Sequence, residues 1–152
     1  MEWWWYCKLV IVDSTYNTPS ETLINYVQEK IDPIGHQGEG LGLAPLDHIV
    51  TVVGCGETPV NIQTKITFQE NWTWESIKPN VEKAIEDYFK ELSATWEDSD
   101  KNGLIVRISQ IETRLLDITG VLDIADTTLN GAAQNLMIDP DNIPIKGDVT
   151  NV

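Results

Sequence analysis

The stretch from Val60 to Leu92, VNIQTKITFQENWTWESIKPNVEKAIEDYFKEL, decides the fold. Its first ten residues alternate. Val60, Ile62, Thr64, Ile66 and Phe68 point one way and Asn61, Gln63, Lys65, Thr67 and Gln69 the other, the period-two pattern of a half-buried strand. The remainder switches to a helical period, with Ile77, Val81, Ile85, Tyr88, Phe89 and Leu92 on one stripe. A strand and a helix with one apolar face each are stable only when those faces cover one another, so the middle of the chain predicts a long helix lying on a sheet. Thr73 is the expected cap, and Pro79 removes one helical hydrogen bond, predicting a bend or a later start.

Upstream, KLVIVD (Lys8 to Asp13) is a short apolar run bounded by turn residues, which fits a buried strand. A helix follows, with Thr18 as cap, Pro19 in the first helical position, Glu21 closing a T-x-x-E capping box, and Leu23, Ile24, Val27 and Ile31 at helical spacing. Asp32-Pro33 stops it. Gly35, Gly38, Gly40 and Gly42 then mark a tightly turned loop before the strand HIVTVVG. Glycine loops also cradle phosphates, but here a proline and a strand follow the glycines where such a site needs a helix, and Glu39 would repel an anion.

Downstream, Ser109 and Glu112 form a second capping box for a short helix carrying Ile111, Leu115 and Leu116, which Gly120 closes. VLDIADTTLNGAAQNLMI reads as a hairpin turning at Asn130-Gly131 and ending at Ile138, and the proline-containing residues beyond it read as extended. The expected class is α+β: two small sheet-and-helix lobes, in the order β-α-β then β-α-α-β-β. Their expected bounds are 1–56 for a partial strand-helix-strand lobe, 57–140 for a C-terminal lobe, and 141–152 for an extended tail.

With 152 residues, the chain is long enough to build a real core, and its 41% hydrophobic content argues against disorder. Its formal charge of -14, with 10 Lys and Arg against 24 Asp and Glu, disfavours nucleic acid as a partner. The apolar start WWWYCKLVIV is too short for a membrane span and Glu2 stands where a signal peptide is basic, so neither anchor nor export is expected. Cys7 and Cys55 are too few for a disulfide scaffold.

Four clusters carry possible chemistry. In DSDKNG, Asp98, Asp100, Asn102 and Gly103 match positions one, three, five and six of a calcium loop, but the twelfth position is Ser109 where a bidentate Glu is required. A polar turn is the favoured reading, and a small calcium-binding module the alternative. His36 and His48 have only Asp47 and Glu39 as obvious co-ligands, so a metal pair is not expected. No nucleophile motif is present, so no catalytic residue and no cofactor is expected. Trp3, Trp4, Trp5 and Tyr6 form an aromatic cluster suited to an interface or a core edge. Trp72, Trp74 and Trp96 flank the long helix and are expected to fix its ends.

Three stretches together, VIVDSTYNTPSETLINYVQEKIDP, GEGLGLAPLDHIVTVVG and VRISQIETRLLDITGVLDIADTTLNGAAQNLMIDPDNIPIKGDV, resemble the C-terminal half of baseplate J-like proteins of tailed phages and prophages, from about Lys8 to Val149. The resemblance implies a structural, non-enzymatic part of a tail baseplate in the virion, made in the bacterial cytoplasm. It also implies contact with copies of itself and with other tail proteins, and neither nucleic-acid nor membrane partners. The aromatic start and Ile143, Pro144 and Ile145 are the interface candidates. The family's upstream portion is lacking here, which leaves the edge of the first sheet to be covered by the tryptophans or by a second subunit.

Overall fold

The computed structural model describes residues 4–98 and 102–152, and the chain divides into two compact units, Met1–Gly56 and Glu57–Val152. The fold is mixed α+β.

In the first unit, β1 (Trp5–Ile11) pairs in parallel with β2 (His48–Gly54), from Trp5 opposite His48 to Ile11 opposite Gly54. The crossover helix α1 spans Glu21–Ile31. Its cap is Ser20 and not Thr18: Ser20 has extended backbone angles and its hydroxyl accepts from the Leu23 N–H at 3.2 Å. The apolar stripe Leu23, Ile24, Val27 and Ile31 is only half-buried, and the one fully buried residue of α1 is Gln28.

Gln28 and Asp32 are what fasten this unit. The Gln28 amide donates to the carbonyls of Asp32 (2.7 Å) and Val50 (2.9 Å), and its oxygen accepts from the Val52 N–H at 2.8 Å. The Asp32 carboxylate, buried, accepts from the Gly38 N–H (3.0 Å) and the Val50 N–H (2.9 Å). Two polar side chains thus bind helix, glycine loop and strand together, satisfying one another's buried groups. The loop returns the favour at the helix C-terminus, where the amides of Leu43 and Ala44 cap the carbonyls of Lys30 and Ile31. Gly42 passes so close to the Ile31 carbonyl that any side chain there would collide with backbone.

The second unit is a sheet with two helices on one face. β3 (Gly56–Phe68) lies between β5 (Val121–Leu129) and β7 (Asn142–Asn151). It pairs antiparallel with β5, from Ile62 opposite Leu129 to Phe68 opposite Val121. Its alternation holds: Val60, Ile62, Thr64 and Ile66 are buried, with the Thr64 hydroxyl bonded to that of Thr127 at 2.9 Å. The long helix α2 (Trp74–Ala94) starts after Thr73 as expected, with the Ser76 hydroxyl accepting from the Thr73 N–H, and runs on through Pro79. Its stripe Ile77, Val81, Ile85, Tyr88 and Phe89 is buried and joins Ile111 and Leu115 of α3 (Ile108–Leu116) in one core with the sheet.

The residues after Ile138 are extended and have a partner strand: β7 pairs along β3, and its contacts climb both strands together, Asn142 to Thr58, Asp148 to Asn61 and Val152 to Thr64, so it runs parallel to β3. Pro144 is tolerated because β7 is an edge strand. Two expectations are corrected. The hairpin after Gly120 closes only at its turn, where Leu129 and Ala132 exchange backbone hydrogen bonds at 2.9 and 3.0 Å, and its second arm pairs elsewhere. Asn130 and Gly131 do turn with positive φ, but the following strand β6 (Leu136–Met137) pairs with β4 (Ile105–Val106), while β5 pairs with β3. Finally, α3 begins at Ile108, whose N–H is accepted by the side chain of the distant Asn135 at 3.1 Å, so Ser109 is not its cap.

Candidate assembly surface

Each unit distributes its apolar residues differently. Of the twenty buried hydrophobic residues, the first unit holds only Ala44, Val52 and Cys55, whereas it carries nine of the fourteen exposed large apolar side chains among the described residues. Parallel strands ordinarily have helices on both faces. Here a two-stranded parallel sheet has one crossover helix, and no third strand pairs with either edge among the described residues.

The aromatic start is part of that surface. Trp4 lies over Gly38, whose missing side chain and positive φ admit the indole. Trp5 stacks on His48, its register partner, with ring centres 6.5 Å apart. Tyr6 is 77% exposed and Trp5 68%. Trp3 lies outside the described residues. Of the other candidate residues, Ile143 and Pro144 are buried and Ile145 is half-buried.

Of the calcium-loop residues, Asp98 ends a single 3-10 turn (Trp96–Asp98), Asn102 precedes Gly103, and Asp100 lies outside the described residues. Among the described residues no three His, Cys, Asp or Glu side chains gather as a metal site. Gly103 has its own structural reason: its φ is +83°, and a side chain there would strike the Ile138 carbonyl, next to the bond from the Ile138 N–H to the Leu104 carbonyl at 2.8 Å. Gly103→Ala should therefore cost about 2 kcal/mol, equally with and without millimolar calcium in urea unfolding. A loss seen only when calcium is present would restore the metal reading. His36 bonds Glu39 at 3.0 Å and His48 bonds the Leu46 carbonyl at 3.0 Å. Trp74 and Trp96 pack on the core and Trp72 on Gly120, around the long helix as expected.

No helix among the described residues is long and apolar enough to cross a membrane. The sequence profile of the Baseplate J-like protein C-terminal domain matches residues 60–152. Two proteins of Bacillus subtilis (strain 168) are similar over 142 residues, 93% of this chain: the uncharacterized protein YqbT at 30% identity and the phage-like element PBSX protein XkdT at 28%. The chain spans 38% of the length of each. It belongs to the baseplate J-like family, and the matched region is the whole of the sheet-and-two-helix unit apart from its first residues.

Proposed function

We propose that the chain is a structural component of a phage or prophage tail baseplate, located in the virion, that works by protein-protein assembly and not by catalysis. Family membership supports the baseplate setting, and the similarity to a protein of a phage-like element supports the prophage source. The observation that carries the assembly part is the first unit's composition: it buries only Ala44, Val52 and Cys55 among its apolar residues and exposes nine large apolar side chains, Trp5 and Tyr6 at the start of β1 among them. Contiguous exposed apolar patches mark interaction sites, and unpaired strand edges accept further strands. The excess of acidic residues limits nonspecific association while leaving such a patch available to a fitted neighbour.

The test is the double substitution Trp5→Ser and Tyr6→Ser. Both side chains are exposed, so the substituted chain should fold with unchanged circular dichroism, yet its incorporation into tail particles should fall at least about tenfold, the effect of losing one aromatic anchor of an interface. Incorporation at the unsubstituted level would remove this surface from the reading.

A further inference from the structure

The chain has only two arginines, and both stand in one groove of the second unit. Arg107, at the N-terminus of α3, and Arg114, two turns further on, line a cleft of about 340 Å³ with Tyr88, Glu91 and Leu92 of α2 and with Gln110. The two cations are held in different states. The Arg114 guanidinium lies 4.7 Å from the centre of the Tyr88 ring, donates to the Gln110 side chain at 3.1 Å and pairs with Glu91. Arg107 is exposed and its guanidinium has no partner among the described residues. Its backbone is nevertheless fixed, because its N–H donates to the Tyr88 hydroxyl at 3.1 Å and the next amide is held by Asn135.

The groove thus holds a guanidinium with no partner among the described residues, on a fixed backbone and beside a second one already committed. A lone guanidinium offers a planar fork that binds a carboxylate through two parallel hydrogen bonds. The groove wall beside it is aromatic and aliphatic. From Arg107 to Arg114 the helix rises roughly 10 Å, more than one small anion fills but the length of about three extended residues.

We propose that this groove docks a protein segment that presents an Asp or Glu carboxylate to Arg107 and places a neighbouring apolar side chain against Tyr88 and Leu92. Charge complementarity selects the occupant: an acidic segment meets an arginine that has no partner among the described residues, whereas a basic segment would meet it with repulsion. The inference takes from the assembly reading only that the occupant is protein, and it is tested on the chain alone, so groove binding and entry into particles can fail separately.

The probe is a blocked five-residue peptide alternating leucine with aspartate, compared with its asparagine counterpart, at 0.15 M salt, where charges beyond about 8 Å are largely screened. Binding is followed by the NMR signals of the two arginine side chains. The acidic peptide should shift the Arg107 signal saturably, and affinity should fall about tenfold both for the asparagine peptide and for Arg107→Gln, the loss of one charge-assisted contact. Arg107→Gln keeps both backbone hydrogen bonds, so its amide spectrum outside the groove should not change. Equal binding of the two peptides, binding untouched by Arg107→Gln, or no shift at either arginine would overturn the proposal.

Discussion

Asp32→Ala should unfold the first unit at markedly lower denaturant, with a loss of about 3 kcal/mol. The carboxylate is 1% exposed and accepts the N–H groups of Gly38 and Val50. Removing it leaves both donors buried without an acceptor, at about 1–3 kcal/mol each. The first unit buries few apolar side chains that could offset this. Native-state hydrogen exchange is the suitable readout, because it resolves the units: the amides of Gly38, Val50 and Val52 should exchange on the order of a hundredfold faster, while those of β3 keep their protection. Uniform acceleration across both units would mean that the Gln28–Asp32 cluster is not what holds the first unit.

The second large effect lies in adjacent leucines. Leu115 is 0% exposed and belongs to the shared core, whereas Leu116 is 46% exposed. Leu115→Ala should cost about 3 kcal/mol through lost burial and the cavity left behind. Leu116→Ala should change stability by no more than about 0.5 kcal/mol. Urea midpoints of the two variants check this, and similar losses for both would mean that α3 sits rotated from the orientation described. The sequence pattern treated both leucines as one apolar face.

What was legible in the sequence followed from local periodicity. The alternation of Val60 to Phe68 and the stripe from Ile77 to Phe89 appear in the structure as written, because each needs only its own backbone period to declare which face is buried. What escaped depends on partners distant in the chain. Asn135 caps α3 from 27 residues away, a bond that no local capping box announces. β7 carries Ile143 and Pro144 buried side by side, so it lacks alternation, and only the open edge of β3 reveals it as a strand. Asp32 read only as a helix stop and Gln28 carried no reading at all, since nothing local shows that the strand amides turn toward them. The signal available was a glutamine inside the apolar side of α1 and an aspartate one turn later.

The aromatic start was read from residue type alone, and the structure shows its adjacent Trp5 and Tyr6 both exposed at the beginning of β1.

The most direct test of the assembly reading is to induce tail particles from a cell carrying this gene, purify them by sedimentation and quantify peptides of the chain by mass spectrometry. The account predicts that they co-sediment with assembled tails at a stoichiometry comparable to other baseplate proteins. Tails that assemble and sediment without this chain would contradict it.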